Sequence, residues 1–468
     1  MINKKEVVAR VESASGIVFQ ANVQVLIIGA GACGLTAALA ASDNTNDILV
    51  LERDPEPSGS TALSSGFVPA ADTKCQRFKG IQDSAHEFNN DILAKASGKQ
   101  NSKLSKLVSY KCGKVLDWLS ERHGIDWKIL DNFLYPGHTY HRMHTVSEKT
   151  GIGLMNRLQA AIGRAGIAIS TNSLVDTIYM SNEIVSGVRV KRPNGLFEFI
   201  GCENLILACN GYGANKELVK KYIPEMSDAL YFGHAGNQGH AVLWGEQINA
   251  SAMHMSGYQG HGSVATPHGV LITWALMMEG GIQVNEQGLR FSNENQGYSE
   301  QSVHVLAQSN KVAWVIYDEK LHLLGKEFPD YLKAINSGAI KSAKNATSLI
   351  ELIGVDRKGF EETLRLIKDF SLSKKVDPFG REFKRNLEHS EKMYAIKVTG
   401  ALFHTQGGLL VNEKAQVLKS DKTPFKNLFA GGGAACGVSG PDVSGYLSGN
   451  GLLTAFSLGG LAGWNASK

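Results

Sequence analysis

The stretch "VQVLIIGAGACGLTAALAAS", residues 23–42, constrains this chain more than any other. Six residues of buried-strand character run into Gly29, Gly31 and Gly34, which match G-x-G-x-x-G, and an alanine-rich run of strong helix formers follows. A second strand, "DILVLER", ends near Glu52, 18 residues beyond the third glycine. Each part has a physical task. Gly29 permits a tight turn, Gly31 lets a pyrophosphate touch the backbone, and Gly34 allows close helix–strand packing. Ala32 opens a helix whose N-terminus offers partial positive charge to phosphates, and Glu52, followed by Arg53, can accept from ribose hydroxyls. Strand, turn, helix, second strand and terminal acid occur in the order that a dinucleotide-binding fold requires, and this stretch alone leaves FAD and NAD both open.

At 468 residues the chain exceeds one ordinary core, which predicts two domains or one domain with an insertion. Hydrophobic residues at 43% and charged residues at 20% fit a globular protein. The net charge of +4 is dispersed rather than gathered into a basic block, which argues against a nucleic-acid partner. No apolar run approaches the ~20 residues of a membrane span, and the N-terminal stretch lacks the pattern of a leader peptide. Cysteines 33, 75, 112, 202, 209 and 436 show neither CxxC nor metal-ligand spacing. They read as reduced thiols of a cytoplasmic protein with no metal site. The 51 glycines cluster at 29–34, 59–66, 431–451 and 459–463, where backbone would approach a ligand.

Four further stretches extend the pattern. "SGSTALSSG" follows Glu52 with small and hydroxyl-bearing residues suited to the edge of a planar ring, among them Ser60, Thr61, Ser64 and Gly66. "FEFIGCENLILACNGYGANKELV" reads as strand, turn, strand and helix, with Ala208 and Gly211 at the second strand's end. "LFAGGGAACG" closes another strand on Gly432 and Gly433. "SGNGLLTAF" starts a helix at Asn450, Gly451 and Leu452. Together with "FHTQGG" (403–408), these resemble the flavoprotein family of fumarate reductases and 3-ketosteroid dehydrogenases, in the family's order and from residue 22 to 465. Ser58 and Asn210 depart from it, each standing where the family often has glycine.

The resemblance implies an α/β fold: a Rossmann-type FAD-binding domain, residues 1–226 and 395–468, interrupted by an α+β capping domain, 227–394. Within the cap, "GNQGHAVLWGEQINA" reads as a helix after a glycine turn. "GGIQVNEQGLRFSNEN" reads as two strands around a turn, and "DRKGFEETLRLIKDFSLSKK" as a helix with one apolar stripe. The resemblance implies FAD, and the lack of histidine in "SGSTALSSG" implies that it is held non-covalently. Without CxxCH or iron–sulfur cysteines, electrons would leave to a separate acceptor.

The choice of chemistry rests on two positions. Fumarate-type members carry an arginine a few residues after "RF-x-N-E" and another before the final "GGN", because a guanidinium matches a carboxylate with two hydrogen bonds. Here those places hold Tyr298 and "GYLSG", Gly445–Gly449. Both features resemble the ketosteroid dehydrogenase branch. By that resemblance one tyrosine takes a proton α to a carbonyl, another group polarises the carbonyl, and the β-hydride passes to flavin N5, leaving an α,β-unsaturated ketone. An enolate must be stabilised as it forms, and each oxyanion-hole donor contributes roughly 3–4 kcal/mol. Tyr446 with the amides of Gly449 or Gly451 is the expected donor set, Ser448 flanks it, and Tyr298 is the expected base; the tyrosine roles are exchangeable. His404 would orient substrate or bond the cofactor. The run "TYHRMHT" (139–145) offers Arg142 as an anchor, which would favour a small oxo-acid, or is a surface loop. The expected substrate is a cyclic or steroid-like ketone; the same chemistry in reverse would make an ene-reductase of a conjugated acid or ketone.

Overall fold

The apolar runs ending at Gly29, Ala208 and Gly431 become three neighbouring parallel strands: β1 (Ala21–Ile28), flanked by β3 (Phe197–Leu207), which β4 (Pro424–Ala430) joins on its other side. On the far side of β1 lies β2 (Ile48–Leu51), again parallel, with Ile27 opposite Val50. Residues 25–28, 205–207 and 428–430 are almost wholly buried, as expected of strands covered on both faces. The computed structural model describes residues 8–387 and 392–468, so the first seven residues of the stretch read against a leader peptide lie outside it.

These strands belong to a nine-stranded sheet that extends through 168–170 at one edge and through 184–191, 174–181 and 10–13 at the other. The main-chain bonds run one residue past the strands: Ala208 N donates to Ile28 O, Gly431 N to Leu207 O and Gly29 N to Leu51 O. The carboxyl ends therefore stay aligned, which is where an open α/β sheet binds its ligand. Helix α1 (Ala32–Ala41) is buried at all ten positions. It packs against α3 (Asn450–Ala466), with the short α2 (Gly59–Leu63) near its start. The two long helices touch through missing side chains. A Cβ on Gly459 would stand 2.6 Å from Cys33 O, and one on Gly463 only 2.1 Å from Ala37 O.

Gly201 does not make the turn expected within 197–207. The segment is one unbroken strand of 11 residues, and a Cβ on Gly201 would come within 1.9 Å of the Asn22 side chain. This glycine serves a close approach.

The chain forms two compact units. The first takes residues to Ser227, Gly233–Tyr258 and His404–Lys468; the second takes Asp228–Phe232 and Gln259–Phe403. The helix at His240–Gln247, read from sequence within 227–394, thus lies in the first unit, where Gln247 bonds Val11 N and Ala9 O. The second unit is built on a seven-stranded sheet centred on Met393–Thr405, whose antiparallel neighbour is Val312–Asp318. Its core includes Ile282, Ile316, Phe360, Ile367 and Ala395. The charged helix forms at Arg357–Ser371 and buries Phe360, Leu364 and Ile367. Only the first of the two strands expected in 280–295 forms, at Ile282–Val284; ion pairs hold the second half instead. Among the described residues no helix is long and apolar enough to cross a membrane, and the cysteines at all six positions are free.

Candidate active site

In the first unit the aligned strand ends form a cradle made mostly of main chain. Gly29 has φ +105°, and a Cβ there would lie 2.5 Å from Ala208 O; one on Gly34 would lie 1.8 Å from Gly29 O. A Cβ on Gly31, by contrast, would meet nothing nearer than Thr61 Oγ1 at 3.6 Å. The space before α1 is thus open, and no side chain caps this helix at Gly31. Ala32 N donates to Thr61 Oγ1 at 3.1 Å, and Ala30 N to Glu52 Oε2 at 2.9 Å. Glu52 Oε1 accepts from Asp54 N. A carboxylate has about four acceptor sites, so Glu52 keeps capacity for ribose hydroxyls. Arg53 lies 3.4 Å from Asp54. Ser64 Oγ donates to Thr61 O and accepts from Gly66 N, and Gly66, at φ +70°, packs on Thr150 O, so these two shape the loop itself. On the opposite wall, Asn210 bonds Gly211 N and Ser60, and Gly433 abuts Asn210. Gly432 abuts Cys33.

The second helix N-terminus is also uncapped by any side chain. Gly449 sits at φ +87° before Asn450, and a Cβ there would strike Pro69 at 2.5 Å. Two open helix starts suit an anionic or carbonyl-bearing ligand, and the buried Asn450 Oδ1 has no hydrogen-bond partner among the described residues. An uncapped turn before α1, an acid at the end of β2 and a second open helix start fit FAD.

Tyr446 is 5% exposed, and its hydroxyl lies 3.4 Å from His404 Nε2. Desolvation lowers the His404 pKa to about 4, so the ring is neutral near pH 7. His404 Nδ1 is 3.2 Å from both Thr405 O and Gln406 Nε2. Gln406 Oε1 accepts from Ser439 Oγ, which accepts from Asn450 Nδ2. A continuous polar chain thus joins Tyr446 to the first residue of α3. Gly451 lies beneath His404: a Cβ there would be 2.7 Å from Nε2. Leu452 packs on the core.

Ser448 is held from below. Its carbonyl accepts from His138 Nε2 at 3.0 Å, and His138 Nδ1 faces Arg142 Nη1 at 3.5 Å. A carbonyl only accepts and a guanidinium only donates, which fixes the neutral Nε2–H tautomer of His138. Burial, reinforced by Arg142, lowers its pKa to about 4. Arg142 is not a substrate anchor. Its side chain is fully buried, with Nε and Nη2 on Asp83 at 2.7 and 2.9 Å and Nη1 on Asp91. Two carboxylates hold the charge that would otherwise have met a small oxo-acid.

In the second unit Tyr298 is 8% exposed and begins the helix Tyr298–Leu306. Its ring stacks on His261 at 4.8 Å, with Trp274 edge-on at 6.3 Å, and His261 also packs on Phe403 at 5.4 Å. His261 Nδ1 accepts from Ser263 N, and burial lowers its pKa to about 3. Upstream, Arg290 bonds Glu294 and Asp377, and Arg381 also reaches Glu294 at 2.9 Å. Burial alone would raise the Glu294 pKa, but Arg381 and Arg290 outweigh it and hold the carboxyl well below its usual range. The "RF-x-N-E" residues brace the segment leading to Tyr298.

A family model described as an FAD binding domain matches residues 24–452. The chain belongs to this family. It resembles an NADH:fumarate oxidoreductase of Klebsiella pneumoniae, 29% identical over 95% of this chain but 47% of that protein. It is 24% identical to a urocanate reductase of Eggerthella lenta, over 95% of this chain and 75% of that protein. The chain thus spans about half the length of the first relative and three quarters of the second. Among solved structures, an open flavocytochrome c3 fumarate reductase matches with TM-score 0.80 and 26% identity, over 97% of this chain and 79% of that one. A 3-ketosteroid-Δ4-(5α)-dehydrogenase of Rhodococcus jostii matches with TM-score 0.78 and 20% identity, over 98% and 100%.

Each unit also holds residues that the FAD-binding motifs do not mark. His138 lies one residue before the run singled out in the sequence, and Gln406 lies inside the quoted "FHTQGG". Ser439, Asn237 and His261 carry no local signal, because their partners are 11 to 177 residues away or are ring contacts.

Proposed function

We propose that this flavoprotein is a dehydrogenase of a cyclic or steroid-like ketone, introducing a C=C bond beside the carbonyl. The observation that carries it is the neutral histidine set against the Tyr446 hydroxyl. The one arginine offered from sequence is locked between Asp83 and Asp91, and the neighbour of Tyr446 is a histidine that burial keeps neutral. Such a setting offers hydroxyl and amide donors to a carbonyl oxygen.

When bound, FAD supplies the acceptor for the β-hydride. Tyr446 donates to the ketone oxygen, with an amide at the start of α3, Gly449 or Gly451, as the second donor. Tyr298 removes the α-proton. The aromatic wall of His261, Trp274 and Phe403 around Tyr298 favours a flat apolar ring over a small acid. Electrons then leave to a separate acceptor.

The names of the relatives, fumarate and urocanate reductases at 24–29% identity, favour a second reading in which the same residues reduce a conjugated acid. Anaerobic mixing separates the two. Bleaching of the oxidised flavin by saturated cyclic ketones is the expected result. Reoxidation of the reduced flavin by unsaturated acids, with no bleaching by any ketone, would sink the dehydrogenase reading.

A further inference from the structure

Ser60 is the meeting point of three segments of the first unit. Its Oγ accepts from Asn210 Nδ2 at 3.1 Å and from Asn237 Nδ2 at 2.8 Å. The Asn210 amide has a fixed orientation, because its Oδ1 accepts from the main-chain N–H of Gly211 at 2.8 Å and so turns the NH2 to Ser60. Asn210 itself stands at φ +64°, a conformation that asparagine tolerates and glycine adopts freely. The main chain of Gly433 boxes the amide in: a Cβ there would be 2.1 Å from Asn210 Oδ1. A serine hydroxyl has two acceptor lone pairs and one proton. With both lone pairs taking amide protons, Ser60 can act further only by donating. Its neighbour Thr61 receives Ala32 N at the start of α1, so Ser60 lies on the short helix that lines the open cradle.

We infer that Asn210 and Asn237 lock the Ser60 hydroxyl as a one-way hydrogen-bond donor to bound FAD, and that Asn210 thereby tunes the reduction potential of the cofactor. A donor favours the electron-rich reduced cofactor over the oxidised one, because hydrogen bonds strengthen towards an acceptor that gains negative charge. The asparagine that departs from the family's frequent glycine is, on this account, the source of the bias. The inference rests on FAD binding alone and is independent of which substrate the protein takes.

The test is anaerobic spectrophotometric redox titration of the FAD-loaded protein. Asn210→Gly suits the backbone angle, so FAD should stay bound at one per chain. The midpoint potential should fall, with a change on the order of tenfold in the oxidised-to-reduced equilibrium, about 30 mV for a two-electron couple. Ser60→Ala should shift it in the same direction by at least as much, and the double variant should add nothing to Ser60→Ala. An unchanged potential in either single variant, or two shifts that simply add, would overturn the inference. Loss of FAD from Asn210→Gly would do so too, by making the amide a prop of the site rather than a tuner. Because no substrate enters the measurement, a failed ketone reading leaves its outcome untouched.

Discussion

At Tyr446 a single hydroxyl lies against the neutral His404. Tyr446→Phe removes that donor while keeping the ring, so kcat on a saturated ketone should fall by roughly 10²–10³, the usual cost of losing one oxyanion donor. FAD absorbance should be unchanged, and steady-state kinetics beside a flavin spectrum checks both. Tyr298→Phe should reduce the same rate; normal turnover in both variants would remove the tyrosine mechanism. Arg142 makes the opposite kind of prediction. Arg142→Leu leaves Asp83 and Asp91 buried without a counter-charge. Breaking such a group costs about 3–5 kcal/mol. Urea unfolding should show that loss in the midpoint, and FAD affinity should suffer only as a secondary effect. A variant as stable as the parent would show that the carboxylates take up protons or water instead.

The contact of α1 with α3 depends on glycine. Gly463→Ala would press a methyl to 2.1 Å from Ala37 O, so one helix must move. Overpacking of this kind costs about 1–3 kcal/mol. Since α1 carries the turn at Gly31, the FAD dissociation constant should rise along with the fall in Tm, and FAD fluorescence on dilution reads the former. These elements were legible in the sequence because their rules are local. Gly29, Gly31 and Gly34 lie within six residues, Glu52 follows at a set spacing, and the helix at 357–371 shows its stripe directly. What escaped was set by distance along the chain. Arg142 meets Asp83 across 59 residues and Arg290 meets Asp377 across 87, although Glu294, four residues after Arg290, is a local partner. The turn expected within 197–207 failed for a related reason: a glycine that makes a turn and one that admits a neighbouring segment look alike in one dimension. The site split the same way. Its glycine-rich half was readable, whereas the chain from His404 through Gln406 and Ser439 to Asn450 exists only in the folded unit.

Among the described residues, burial depresses five histidines most: His138, His144, His240 and His404 to about 4, and His261 to about 3. An unfolded imidazole has a pKa of about 6.5. Each folded value is depressed, so the unfolded state binds more protons between pH 4 and 6.5. The stability these rings contribute is complete above that window and declines as pH falls through it, by roughly 1.4 kcal/mol per pH unit for each ring. Urea midpoints at pH 7.5, 6, 5 and 4.5 should fall steeply, and a flat profile would mean that the rings are protonated in the fold. The main-chain cradle has a different consequence, one for the evolution of new activities. A mould that recognises its cofactor through absent side chains leaves few residues for a change of substrate to disturb. Positions 298, 404 and 446 can be randomised together while Gly29, Gly31 and Gly34 go on holding FAD. A library at those three sites should consist largely of yellow proteins, most of them idle and a few diverted to new carbonyl compounds.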